Sequence, residues 1–112
     1  MGYTVTHRCG DMDRDFPIEA FGELLDELAK ADLEHPDIAV THESEWSLSV
    51  HKTGMLLLEH LEVGEALRFG PIGRDATLNL MALVAEGRID EALRVAASSK
   101  GDGPARGRVS ER

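Results

Sequence analysis

His35 to Phe69 reads HPDIAVTHESEWSLSVHKTGMLLLEHLEVGEALRF, and the alternation within it decides the fold. Ile38 and Val40 alternate with Ala39 and Thr41. After the polar HESE break, Trp46, Leu48 and Val50 alternate with Ser47, Ser49 and His51, the period-2 pattern of half-buried strands. The reversals fall at Glu43-Ser44-Glu45, at Lys52-Thr53-Gly54 and at Glu62-Val63-Gly64-Glu65, and in the last two a glycine supplies the positive φ of a tight turn. Three or four consecutive antiparallel strands are expected here, apolar on one face and wet on the other. Leu56-Leu57-Leu58 is apolar at successive positions, which predicts a strand covered on both faces or central in the sheet.

Working outward toward the N-terminus, Tyr3-Thr4-Val5-Thr6-His7-Arg8 is rich in β-branched and aromatic residues, and Gly10 and the cluster DMDRD stop it. It reads as a further strand of the same sheet. Pro17 sits where a first helical turn tolerates its missing N–H, and Ile18, Phe21, Leu24, Leu25 and Leu28 form one stripe, predicting an amphipathic helix to about Ala31 that packs on the sheet. Gly22 within it weakens the helix and hints at a close neighbour. Pro36 then ends helical structure and begins the link to the strands.

On the C-terminal side, Gly70-Pro71-Ile72-Gly73 breaks the strand pattern. Arg74 to Glu86 resumes at helical period with Leu80, Leu83 and Val84 aligned, Met81 beside them and Gly87 as the stop. Asp90 to Ala97 predicts a short last helix with Ile89, Leu93 and Ala96 or Ala97 inward. The order β-α-β-β-β-β-α-α lacks the alternation of a parallel doubly wound sheet. The expected class is α+β: an antiparallel sheet of four to five strands covered by an N-terminal helix and C-terminal helices. Residues 1–99 form one domain in this reading. Residues 100–112, almost without apolar side chains, form a flexible tail.

The chain has 112 residues, 42% of them hydrophobic, enough for one core without disulfides or a structural metal. A single cysteine, Cys9, and the lack of a signal-peptide pattern lead to the expectation of a reducing, cytoplasmic setting. No apolar run approaches the roughly 20 residues that cross a bilayer. The formal charge is −9. Because the segment Gly101 to Arg112 carries three arginines against Asp102 and Glu111, a net of +1, the rest of the chain holds −10. Such a field repels phosphate backbones and attracts basic partners, so direct nucleic-acid binding is not expected. An acidic surface that serves only solubility is the plainer alternative.

No catalytic or metal constellation emerges. The histidines His7, His35, His42, His51 and His60 make no HxH or HxxxH pair, and strand parity puts His42 and His51 on opposite faces. His7 and Cys9 share parity and are the one ligand pair worth naming; a structural role for His7 competes with it. Cys9 has no helix start or glycine-rich elbow to activate it, Ser44, Ser47 and Ser49 lie in a strand pair, and the loop before Arg74 lacks a phosphate-binding glycine pattern. No cofactor is implied. Trp46 follows the acidic turn of Glu43 and Glu45; its parity with Leu48 and Val50 puts it in the core under the first helix, against the alternative of an exposed interface anchor. Glu62 and Glu65 flank a later turn and extend the acidic surface.

In size, acidity and element order, carried by FGELLDELAKAD, by HPDIAVTHESEWSLSVHKTGMLLLEHL and by the closing helical part, Ile18 to Leu93 resembles the small immunity proteins of bacterial polymorphic toxin systems, in particular the Imm1-type proteins paired with deaminase toxins. The resemblance implies a protein that is not an enzyme and that inhibits a cognate toxin, a nucleic-acid-targeting deaminase or nuclease, by covering its active site or substrate groove. The partner-binding residues expected from charge are Glu43, Glu45, Glu62 and Glu65, facing a basic surface of that toxin. The alternative is a homodimeric regulatory or structural module without catalytic activity, joined through a sheet edge or helix; a small enzyme of unknown chemistry is the third option.

Overall fold

The computed structural model describes residues 2–7, 10–30 and 37–101. Its strands are β1 (Tyr3–Thr6), β2 (Met12–Arg14), β3 (Asp37–His42), β4 (Trp46–His51), β5 (Leu56–His60) and β6 (Ala66–Phe69). They form one antiparallel sheet of six strands in the order β2-β1-β3-β4-β5-β6. The α+β class therefore holds, with one strand more than expected. The additional strand is β2, in the DMDRD segment that the sequence pattern treats as a strand stop. Its three residues are all exposed, so no apolar alternation announces it. Pairing with β1 at Thr4↔Arg14, Val5↔Asp13 and Thr6↔Met12 is what makes it a strand.

Register carries the core. Val5 opposes Val40, Ile38 opposes Val50, Val40 opposes Leu48, Leu48 opposes Leu58, and Val50 opposes Leu56. Phe69 extends the row beyond Leu56. All of these side chains are buried, and each fully buried aliphatic contributes about 1.5–3 kcal/mol relative to exposure. Because strand side chains alternate, Thr4, Thr6, Ala39, Thr41, Ser47, Ser49, Leu57 and Arg68 share the other face. That face is mostly polar, with the Thr41 and Ser47 hydroxyls 2.9 Å apart. β5 is the fifth strand of six, not the middle of the sheet. Leu57, read as evidence for cover on both faces, is a half-buried residue of the open face.

The first helical segment is broken into a 3-10 turn (Ile18–Ala20), α1 (Phe21–Asp26) and a second 3-10 turn (Glu27–Lys30). No side chain caps the start of either of the first two pieces, so packing of the buried Phe21 and Leu24, with Ile18, Leu25 and Leu28 partly buried beside them, and side-chain ties from elsewhere in the fold hold the segment in place. Gly22 does have a close neighbour. The Arg74 guanidinium donates to the Gly22 carbonyl at 3.2 Å and to Asp26 at 2.9 Å, and a Cβ on Gly22 would lie 3.0 Å from it.

Two further helices complete the cover, α2 (Arg74–Ala85) and α3 (Ile89–Gly101). Leu80, Met81, Leu83 and Val84 of α2 are buried, as the periodicity predicts, while α3 buries Ala92 and Ala96 and leaves Ala97 exposed. α2 lies across β3 and β4, and α3 lies against β6. Trp46 shares the core face with Leu48 and Val50 yet is only half-buried. It stands at the sheet end, edge-on to the His60 ring at 5.2 Å. The helix across its strand is α2 rather than the 18–30 segment, which instead meets β1 through the edge-to-face pair Tyr3 and Phe21. No helix among the described residues is long and apolar enough to cross a membrane. Cys9, the link 31–36 and the segment 102–112 lie outside the described residues.

The joint between α2 and α3 is tight. Gly87 has φ of 78°, its N–H donates to Val84 and the N–H of Arg88 to Leu83, and a Cβ on Gly87 would sit 2.8 Å from Nε2 of the buried His42 ring. Gly87→Ala combines left-handed backbone strain with overpacking, and a loss of about 2–4 kcal/mol is expected in urea unfolding. Adding His42→Ala should restore the steric part alone, so the two substitutions will be non-additive in a double-mutant cycle.

Candidate partner-binding end of the sheet

Antiparallel pairing determines which turns share an end. β3 arrives at the 43–45 turn and β5 at the 61–65 turn, and Trp46 opposes His60 across the strands between them. The two turns are joined directly: the Leu61 N–H donates to the Glu45 carbonyl at 2.9 Å. The chain start joins them, since Glu43 N–H donates to the Gly2 carbonyl at 3.0 Å and Gly2 N–H to the Glu43 carboxylate at 3.1 Å. All of the acids picked out from the sequence, Glu43, Glu45, Glu62 and Glu65, are exposed at this one end.

The turns are built differently. Glu45 N–H closes the first onto the His42 carbonyl at 2.9 Å, and Glu45 itself adopts φ of 77°, a left-handed conformation unusual for glutamate. In the second, Gly64 takes the positive φ of 78°, its N–H donates to the His60 carbonyl at 2.9 Å, and His60 N–H donates to Glu65 at 2.8 Å. Between the acids stand Leu61, 51% exposed, and Val63, 66% exposed. Charge patterning gave no hint of these two; their place in a short turn, with no core behind it, is the signal. Beside Glu43 and Glu45 a shallow groove of about 370 Å³, also lined by Tyr3, Arg14 and Asp15, continues the surface.

Chemically this end presents carboxylates that accept hydrogen bonds from guanidinium or ammonium groups, together with aliphatic side chains that gain by leaving water. A second groove, about 480 Å³, lies on the open face at the opposite end of the sheet and is bordered by Asp37, His51, Met55, Leu57, Glu59 and Arg68. Among the described residues, no group of three or more His, Cys, Asp or Glu side chains is arranged to hold a metal ion.

His7, weighed above as a ligand partner of Cys9, has both ring nitrogens engaged: Nδ1 with Glu27 at 2.6 Å and Nε2 with Asp13 at 2.7 Å. Phe16 packs edge-to-face on the ring at 5.4 Å. Burial works against the charged ring, but the hydrogen bonds to Glu27 and Asp13 outweigh it, and the His7 pKa is raised. The cluster ties β2 and the 27–30 turn to the end of β1. That clamp adds a side-chain link to the backbone pairing that holds the exposed segment 12–14 as an edge strand.

No family model, curated protein or solved structure matches this chain.

The His7 clamp has a definite pH signature. A histidine whose pKa is raised on folding contributes stability that is fully present below its unfolded value, about 6.5, and is lost as pH rises through the folded value. The wild-type melting temperature should therefore exceed that of His7→Gln most at pH 5.5–6, with the difference shrinking at alkaline pH. A constant difference across that range would show that the ring is not charged in the clamp.

Proposed function

We propose that this protein is a non-catalytic binding module, an immunity-type inhibitor that meets a basic surface of a toxin with the sheet end described above. The observation that carries the reading is the convergence of Glu43, Glu45, Glu62 and Glu65, from two turns distant in sequence, around exposed Leu61 and Val63. Solubility alone requires no such convergence. An apolar centre with a charged rim is the usual anatomy of a specific protein interface, and the −10 carried outside the 101–112 segment favours a basic partner. The resemblance in layout to immunity proteins points the same way, as does the reducing, cytoplasmic setting suggested by the lone cysteine.

The test is binding to the purified products of the genes that flank this one, followed by kinetics on variants. Rim charges act mainly on encounter, so Glu43→Lys with Glu45→Lys should slow association roughly tenfold at low salt and flatten its salt dependence. Leu61→Ser with Val63→Ser should act on dissociation instead. The reading fails if no flanking product binds, or if the charge reversals leave both rates and the salt slope unchanged. A molar mass that doubles with concentration, and loss of that doubling on substituting the sheet end, would favour the homodimeric module.

A further inference from the structure

β3, β4 and β5 each end on a histidine, and His42, His51 and His60 recur at intervals of nine residues. In each case the ring Nδ1 receives the backbone N–H two residues ahead: Ser44 at 3.1 Å, Thr53 at 3.2 Å and Glu62 at 3.2 Å, with Val63 also within 3.3 Å of His60. The hydroxyls of Ser44 and Thr53 lie 2.9 Å from the same nitrogens. A backbone amide can only donate, so Nδ1 offers a lone pair at all three turns and the ring proton is on Nε2. Asparagine and aspartate commonly close turns in this way. Histidine does so only while neutral, because the imidazolium has no acceptor left. His7 is the opposite case, its two nitrogens facing two carboxylates that favour the charged ring.

His42 is the most constrained of the three. It is 7% exposed, its Nε2 has no hydrogen-bond partner among the described residues, and the backbone of Gly87 closes over it. The charged groups around it are Glu43 and Glu45 in its own turn, Arg14 and Asp15, which line the same groove, and Glu86 and Arg88 flanking Gly87 at the α2–α3 joint; Tyr3 opposes it on β1. None of them bonds the ring. A second proton would thus create a buried, unpaired cation as well as an orphaned Ser44 amide, so protonation requires the ring to leave its seat. His60 is less enclosed. Trp46 meets its ring edge-on, and Glu62 and Glu65 in its own turn and Glu45 in the adjoining one are the charges around it. His51, at the other end of the sheet, faces Asp37 across the strands, shares a groove with Glu59 and Arg68, and has Lys52 in its turn.

We infer that the three hairpin turns are an acid-sensitive device: neutral His42 and His60 hold the Glu43, Glu45, Glu62 and Glu65 end in shape, and their protonation loosens it and releases a basic partner. The added positive charges act in the same direction as the loosened backbone. His51 loosens its own turn without touching that surface, and so serves as an internal comparison. The regulatory half of this inference rests on the binding role of the acidic end; the conformational half does not.

The conformational half is tested on the free protein by following backbone amide and histidine ring signals by NMR from pH 7.5 to 5.0, a range in which histidines change charge. The Ser44, Thr53 and Glu62 amides should titrate together with their own rings and exchange with solvent at least tenfold faster, after correction for intrinsic rates, once those rings are charged. In His42→Asn with His60→Asn, a side-chain carbonyl supplies a non-titrating acceptor, so Ser44 and Glu62 should lose their pH dependence while Thr53 keeps it. If the double variant does not fold, His60→Asn alone should silence only Glu62. Amides that ignore ring protonation, or that still titrate in the asparagine variants, overturn the device.

Regulation is read separately with a decalysine peptide as the basic probe. Its affinity for the wild-type protein should fall at least fivefold between pH 7.5 and 5.5, and for the double asparagine variant by less than twofold; where only His60→Asn folds, its fall should lie between the two. Equal behaviour of the two proteins, or no measurable peptide binding, overturns the regulatory half. Failure of the flanking gene products to bind would instead overturn the immunity-type reading, so the two failures are distinguishable.

Discussion

The structure depends on one register. With Val40 opposite Leu48 and Leu48 opposite Leu58, the aliphatic residues of β3, β4 and β5 fall on one face, and a slip by a single residue would turn them all to solvent. Everything else is arranged around that face. α2 covers it with Leu80, Met81 and Val84, the short α1 adds Phe21 and Leu24 near β1, and α3 closes against β6 with the small side chains of Ala92 and Ala96. The open face is polar enough to be left to water, as an antiparallel sheet allows.

The same register determines where the charges go. Antiparallel strands joined by short turns send alternate turns to opposite ends, so the acidic turns 43–45 and 61–65 meet, while Lys52 goes to the far end. Concentrating carboxylates in this way is unfavourable for the isolated protein because like charges repel, and a basic partner would remove that repulsion. Packing of the aliphatic face therefore has an electrostatic consequence at a distance from the core.

The histidines divide between two opposite demands. His7 sits between Asp13 and Glu27 and gains by carrying a proton; the three strand-terminal rings each accept a backbone amide at Nδ1, which needs a free lone pair there. His42 also links the turn to the helical layer, because the Gly87 joint leaves no space for a side chain beside its ring.

By itself the sequence determined the α+β class, the strands 37–42, 46–51 and 56–60 to within a residue or so, the glycine-bearing turns, and the α2 helix with its stop at Gly87. Each of these is written in local periodicity or in the backbone freedom of a single residue. Only the tertiary structure decided the rest. β2 is exposed throughout and exists because β1 offers it an edge and His7 ties to Asp13 within it; the three-leucine run of β5 is compatible with more than one place in a sheet; and Trp46, in register with the core, is half-buried because it stands where the sheet ends. The exposure of Glu43, Glu45, Glu62 and Glu65 was legible from their turn positions, but their meeting was not. Proximity between residues about twenty apart depends on strand pairing, and pairing is settled by burial of the opposite face, which no local pattern contains.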